Sequence, residues 1–376
     1  MKKASILSKL RMVLLFGGVL ILASACSFSF SSQGGSARQG AEGSLFVTSD
    51  RGDTWQAAMS IPGPGERSGS IAEVGVNLLK IDPQDHLAVY LGSLAHGLFY
   101  TYDIATGWNQ VKSLPQTRIN DLVVSPDNKC RLYAALGNQV FRSNDCSRTW
   151  EQIFVDSNQE VAINTLAVDH YNPNNIYLGT SRGEIMKSID GGYSWRTIWR
   201  LDNGILQLTI SPLDSRLIYV ATSKNNIYHF TSNTTTNPAN STNIEANFSV
   251  SNWTDLGASL KNFNLGTDFR ELIVNQKDGA VFIASAKGII RSRDGGSTWE
   301  NLNLLPPEKE ATINSLAVNP NNSAELFYIT DTTFFRSSDG GTTWTTKRLP
   351  SSRPGARLLI DFANPNRLYL GTRQAK

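Results

Sequence analysis

The chain has 376 residues, of which 40% are hydrophobic and 18% charged, with a formal net charge of +3. So small a positive balance gives no electrostatic case for nucleic-acid binding, whose affinity is built from many phosphate contacts. Beyond the N-terminal segment no apolar run is long enough to cross a bilayer.

Lys2, Lys3, Lys9 and Arg11 surround or precede an apolar run from Met12 to Leu22, which ends in Ala23-Ser24-Ala25-Cys26. A basic stretch, a short apolar stretch and small residues read as a signal peptide rather than a membrane span. The cysteine makes the segment resemble a bacterial lipoprotein signal, which implies lipidation of Cys26 as the mature N-terminus. The usual leucine three places before the cysteine is displaced by one, to Leu22, and secretion with an incidental Cys26 is the alternative. Residues 26–43 are rich in Ser, Gly, Gln and Ala and read as a flexible tether. The expected organisation is a signal peptide at 1–25, the tether at 26–43 and one folded domain at 44–376. Its expected location is the bacterial cell envelope, lipid-anchored outside the cytoplasm.

The folded part opens with Ser44-Leu45-Phe46-Val47-Thr48 and Trp55, the last two strands of a unit without its beginning. Full units follow at about 76–114, 119–154, 163–200, 205–256, 269–305 and 313–349. Each carries an alternation such as Ile119-Asn120-Asp121-Leu122-Val123-Val124, Ile163-Asn164-Thr165-Leu166-Ala167-Val168 or Ile313 to Val318. A Pro or Asn turn and a Tyr-rich strand come next, as in Ile176-Tyr177-Leu178-Gly179-Thr180. Period-2 runs bounded by Asn, Pro and Gly predict four short antiparallel strands per unit, in the order of a β-propeller blade, and no helix. The chain ends with Arg357 to Asp361 and Arg367 to Gly371, the first two strands of a unit. The two fragments complete one another. The expectation is therefore an all-β, seven-bladed β-propeller of four-stranded antiparallel blades, closed by the C-terminal strands pairing with the N-terminal segment.

Seven of the eight tryptophans recur at about the repeat spacing: Trp55, Trp108, Trp150, Trp195, Trp253, Trp299 and Trp344. Five of them close a Ser/Thr-x-Asp turn, with the aspartates Asp50, Asp145, Asp190, Asp294 and Asp339. The cleanest copies are Ser188 to Trp195, Ser292 to Trp299 and Ser337 to Trp344. The string is identified as the Asp-box, or bacterial neuraminidase repeat, and the domain resembles Asp-box propellers. Asn172 to Thr180 followed by Asp190-Gly191-Gly192 is similar to repeats in xyloglucanases, sortilin-type receptors and photosystem II assembly lipoproteins. Those relatives are hydrolases, receptors and assembly factors, so the resemblance implies a fold and leaves the activity open. The repeated carboxylates read as turn-holding groups that accept backbone N–H bonds, with each Trp in the seam between blades.

Asn77, Asn120, Asn164 and Asn314 recur where the inner strand meets the central channel, with Arg270 at the same place in another unit. They read as backbone-satisfying amides, or as a polar ligand site. Strand polarity puts Arg118, Arg182 and Arg357 on the same face, with Arg200, Lys224, Lys287 and Arg353. Such a face would attract an acidic partner, unless Glu66, Glu73, Glu308 and Glu310 offset it. Catalytic residues are not indicated: no paired carboxylates stand in a recognisable glycosidase context, and the arginine triad of sialidases is not assembled. His86, His96, His170 and His229 fit no metal spacing, and no cofactor is expected. The insertion Thr231 to Asn247, in the unit that lacks the aspartate turn, reads as a loop that does not pack. Cys130 and Cys146 are expected to form a disulfide: with Cys26 lipidated they are the two thiols left in an exported chain, and hairpin register puts Cys130 opposite Asp145, one place from Cys146. The reading is a monomeric binding or assembly scaffold that uses the channel-mouth face. Its partner is another protein or a glycan, and the alternative is a carbohydrate-active propeller.

Overall fold

Valine, isoleucine, tyrosine and threonine are dense in the predicted runs and Asn, Pro and Gly stop them, which is the local chemistry of short pleated strands. A computed structural model describes residues 42–63, 68–232, 250–263, 265–266, 268–305 and 312–374. Cys26, the signal and most of the tether, almost all of the 231–247 insertion, Glu66, Glu308 and Glu310 lie outside the described residues. Within them the strands form seven four-stranded antiparallel sheets. Their inner strands are Val76–Asp82, Asp121–Ser125, Ile163–Val168, Ile205–Ile210, Phe269–Val274, Ser315–Val318 and Gly355–Ile360, and we number the blades one to seven in that order. The fold is a seven-bladed β-propeller.

Blade seven joins the two ends of the chain. Gly355–Ile360 pairs with Leu368–Thr372, which pairs antiparallel with Leu45–Thr48, from Leu45 opposite Gly371 to Thr48 opposite Leu368. The short outer strand Gln56–Ala57 completes the sheet. Leu45–Thr48 and Leu368–Thr372 are thus each paired on both sides, so neither terminal strand offers a template for strand addition.

The core lies between blades. Seven clusters of buried apolar residues each draw on two adjacent blades, and every one of the seven seams has its own. Each blade sends one tryptophan into the seam it shares with the preceding blade. Trp108 is fully buried against Leu45 and Tyr369 of blade seven, and its indole N–H donates to Ala58 O at 2.9 Å. Trp195 and Trp299 donate to Gly192 O and Gly296 O in their own turns, both at 3.0 Å, while Trp344 reaches Asn303 O at 2.6 Å. Trp55 meets Phe334 of blade six edge-on at 5.6 Å, and Trp150 and Trp253 pack at the remaining two seams. A sheet apolar on both faces cannot fold alone, and this arrangement covers both.

Two elements depart from the expectation. A single helical turn, Gly257–Leu260, sits in the connection out of blade four, and it buries Leu260 against the next blade. One turn is too short to leave a period in the sequence. Within the connection from Gln56 to Gly75, Ser60–Ile61 and Gly69–Ser70 form a two-stranded ribbon that buries nothing continuous and so carries no apolar alternation. Cys130 and Cys146 are joined, with Cα atoms 3.8 Å apart, and close a 16-residue separation. A loop of that size contributes about 3 kcal/mol on the chain-entropy account.

Each aspartate turn needs two successive left-handed residues, which explains its paired glycines. Gly191 and Gly192 have φ of 75° and 96°, Gly295 and Gly296 73° and 103°. At Gly192 a Cβ would also come within 2.5 Å of Ile153 Cδ1. Blade two carries Cys146 and Ser147 at these places, with φ of 59° and 67°. The buried Ser147 hydroxyl has no hydrogen-bond partner among the described residues. Ser147→Gly should therefore stabilise the fold by about 1 kcal/mol, relief of strain outweighing the freer unfolded chain. A melting temperature raised by about 2 °C would register this, and a lowered one would contradict it. Deleting Ala356 to Lys376 removes both inner strands of blade seven and leaves the N-terminal strand paired only with the two-residue strand Gln56–Ala57. The truncated chain should lose its cooperative melt and become protease-sensitive; a melt like that of the full chain would refute closure by the termini.

Candidate functional site: the channel mouth

Five of the seven inner strands begin with a side chain that reaches sideways to the next blade, blades four and seven having Leu206 and Ala356 there instead. Asn77 donates to Ile119 O at 2.7 Å, Asn120 to Ile163 O at 2.9 Å and Asn164 to Ile205 O at 2.8 Å. Arg270 Nε donates to Ile313 O and Asn314 to Gly355 O, both at 2.9 Å. The acceptors are carbonyls at the start of the neighbour's inner strand, so the amides close backbone groups that no strand would pair.

One residue deeper runs a second girdle. Asp121 accepts the Leu166 N–H at 2.9 Å, Thr165 that of Leu208 at 3.1 Å and Gln207 that of Leu272 at 3.0 Å. Glu271 accepts from Leu316 at 2.8 Å and Ser315 from Leu358 at 3.0 Å. Blade seven has Arg357 at this position, a side chain with no acceptor, and blade one has Leu78. The girdle therefore crosses five seams and stops where the chain ends meet.

Inside the girdles lies a channel cavity of about 780 Å³. Of the residues expected on this face, Asn77, Asn120, Asn164, Arg118, Arg270 and Arg357 line it; Asn314 and Arg182 do not. Asn314 is held between the Asp331 carboxylate, 2.8 Å away, and the Arg373 guanidinium, also at 2.8 Å. Arg182 is tied to Glu184 and to Asp156, the latter at 3.0 Å, and Arg200 joins Glu184 at 2.8 Å, so these two cations are compensated at the rim. Arg353 is buried, donates to Ala72 O at 2.6 Å and pairs with Glu73 at 3.0 Å, clamping the closing blade.

Lys80, Asp121 and Glu271 also line the cavity and were not singled out from the sequence. They sit one or three places beyond the repeated Asn, the alternation that faces the lumen, and that spacing was the available signal. Lys80 pairs with Asp121 at 3.2 Å. Glu271 and Arg357 are half-buried in the channel wall, each with part of its side chain facing the lumen. Burial pushes the Glu271 carboxyl above the usual range, against the pull of Arg357, Leu316 N–H, Ser315 and Lys80. Burial likewise lowers the Arg357 guanidinium; Glu271 opposes this, and the like charges of Arg118, Arg270 and Arg373 add to it. The arrangement is a polar, net-basic cavity fitted to hold an anionic group.

The aspartate turns stand apart from this cavity. In each, one carboxylate oxygen takes the N–H four residues on: Thr54 at 2.8 Å, Thr149 at 2.9 Å, Ser194 at 2.9 Å, Thr298 at 2.8 Å and Thr343 at 2.9 Å. The other oxygen takes the hydroxyl of the same residue. Arg142 and Tyr133 of blade two donate to Gly191 O of blade three at 2.8 and 3.3 Å, tying the turn to its neighbour. Both oxygens of each turn carboxylate are thus engaged within its own turn.

No known protein-family profile matches the chain. The photosystem II assembly protein Ycf48 of Thermosynechococcus vestitus is 20% identical over 156 residues, 41% of each chain. The match thus spans well under half the length of that curated relative. Among solved structures, the GH74 enzyme of Niastella koreensis superposes with a TM-score of 0.62 at 18% identity, over 80% of this chain and 51% of that one. A structure of YCF48 bound to D1 peptide superposes with a TM-score of 0.57 at 15% identity, over 80% of this chain and 92% of that one. At such identities the likeness is one of fold.

The turn carboxylates make acid stability a readout. The Thr149 hydroxyl and N–H hold Asp145 at about 2, and Thr298 and Thr343 do the same for Asp294 and Asp339. An unfolded aspartate titrates near about 4. A depressed carboxylate stabilises the fold above the unfolded value and loses that contribution as pH falls through the folded one. Thermal stability should thus decline from about pH 4 to about pH 2, and less steeply in an Asp294→Asn variant; an identical acid slope would show that the turn carries no such linkage.

Proposed function

We propose that this chain is an extracytoplasmic binding or assembly scaffold, tethered through lipidated Cys26, whose channel mouth receives an acidic segment of a partner protein. The observation that carries it is the cavity charge: Arg118, Arg270 and Arg357 converge with Glu271 as their nearby counter-charge, since Asp121 is already engaged by Lys80. Clustered guanidinium groups with spare donors suit carboxylates and steer an acidic partner. The structure of YCF48 bound to D1 peptide supports a peptide as a ligand for this fold, and the lipoprotein-like segment up to Cys26 supports the location.

A second reading is a carbohydrate-active propeller. It is favoured by the likeness to GH74 enzymes and by two carboxylates, Asp121 and Glu271, on one lumen. Both are committed to backbone N–H groups of the next blade, which speaks for a girdle role over acid–base chemistry.

The test has two arms. Titrating a fluorescent oligoglutamate peptide with the full chain should give saturable binding that weakens with salt and falls by about tenfold or more in Arg118→Gln/Arg357→Gln, with the melt checked in parallel. Equal affinity in that variant would refute the mouth as the docking face. Cys26→Ser should move the protein out of the membrane fraction of a bacterial host; unchanged membrane retention would refute the anchor.

A further inference from the structure

We infer that the channel is a proton-coupled oxyanion site: an incoming carboxylate or sulfate-like group docks on Arg357 between Arg118 and Arg270, and Glu271 takes up a proton as it does. The inference rests on the channel mouth being a binding site, and adds what that site does with charge.

Of the seven second-girdle positions, Leu78 and Arg357 cannot accept a neighbour's N–H, and of these two only Arg357 brings donors into the lumen. Its one hydrogen bond among the described residues runs from Nη1 to the carbonyl of Ala356 at 3.1 Å, which leaves Nε and Nη2 to offer. Glu271 uses one oxygen, Oε2, for both the Leu316 N–H at 2.8 Å and the Ser315 hydroxyl at 3.0 Å, while Oε1 has no partner among the described residues. Four cationic and two carboxylate side chains line the cavity, an excess of two positive charges. One carboxylate, Asp121, is held by Lys80 and by the N–H groups of Leu122 and Leu166, so Glu271 is the one left to answer the arginines.

The charged groups facing Glu271 are Arg357 from blade seven, Lys80 from blade one, Arg118 from the connection into blade two, Asp121 from blade two and Arg270 on its own strand. Blades four and six present the neutral Gln207 and Ser315. Arg357 is the strongest electrostatic support of the ionised carboxylate, against burial that disfavours it. An anion on Arg357 cancels that support and adds a like charge nearby, and the neutral acid becomes the favoured form. A proton taken from solvent onto Oε1 then turns a repelling acceptor into a donor toward the anion.

The sign follows from linkage. While Glu271 is ionised in the free protein and protonated in the complex, anion affinity rises as pH falls, by up to about tenfold per pH unit for one proton, and levels off once the free protein is itself protonated. No histidine lines the cavity, so none among the described residues supplies the slope.

Calorimetric titration of the full chain with inorganic sulfate, whose charge is constant from about pH 8 to about pH 5, reads this directly. Affinity should rise by about fivefold or more over that range, with proton uptake on binding shown by the dependence of the heat on buffer ionisation. Glu271→Gln should bind sulfate with no pH slope and no proton uptake, and Arg357→Gln should lose binding while melting as a folded ring. Flat sulfate affinity in the wild type, or a slope retained in Glu271→Gln, would overturn the coupling and leave the mouth as a binding face. If neither sulfate nor the acidic peptide responds to Arg357→Gln, that broader reading fails as well.

Discussion

The seam between adjacent blades is the interaction on which the rest of the molecule depends. Each blade is a four-stranded sheet with apolar side chains on both faces, and only the two neighbouring blades can cover them. The seven tryptophans sit at the seven seams, and truncating a residue of that size in such a place typically costs about 3–5 kcal/mol. Because the seams form a closed cycle, every blade has two neighbours, and blade seven, built from both ends of the chain, is as indispensable as any other.

Closing the ring creates a channel, and the channel creates a hydrogen-bonding problem. Inner-strand N–H and C=O groups on the lumen side have no further strand to pair with. The repeated Asn, and the Asp, Thr, Gln, Glu and Ser one place deeper, answer it by reaching across the seam. The girdle fails at Leu78 of blade one and at Arg357, the latter in the blade that the N- and C-terminal strands share. A guanidinium there satisfies no backbone N–H, so the same position that interrupts the structural pattern places positive charge in the lumen. Structure and candidate site overlap along the girdles, since Asp121, Arg270 and Glu271 both cross a seam and line the cavity.

Blade four shows what the aspartate turn does elsewhere. Arg142 and Arg291 each donate to the first glycine carbonyl of the next blade's turn, at 2.8 and 3.2 Å. Lys187 holds the equivalent place in blade three, but blade four has no such turn to meet it. It reaches the Ser232 hydroxyl at 3.2 Å, with its ammonium 5.4 Å from the centre of the Tyr177 ring, and burial pulls it down to about 8. A hydroxyl and an aromatic face replace a turn carbonyl, and the seam remains closed.

Most of the fold was legible from residues. The Ile-Asn-x-Leu alternation, the tryptophan spacing and two complementary fragments at the ends determined seven blades and their closure, because strand period, turn chemistry and repeat length are local properties. The single helical turn at Gly257–Leu260 and the Ser60–Ile61 ribbon were not legible, since elements this short leave no period. The candidate site was half legible. The repeated Asn residues and three of the arginines stood out by position, yet Arg182 looks equivalent to Arg357 in the sequence and is neutralised by Glu184 and Asp156. Lys80, Asp121 and Glu271 recur as no common residue from blade to blade, so the repeat itself does not mark them. Which charges share a lumen, and which are already paired, depends on residues from blades one, two, five and seven converging across the channel. Only the closed ring brings those distant strands to a common axis, so the tertiary structure alone decided the charge of the cavity.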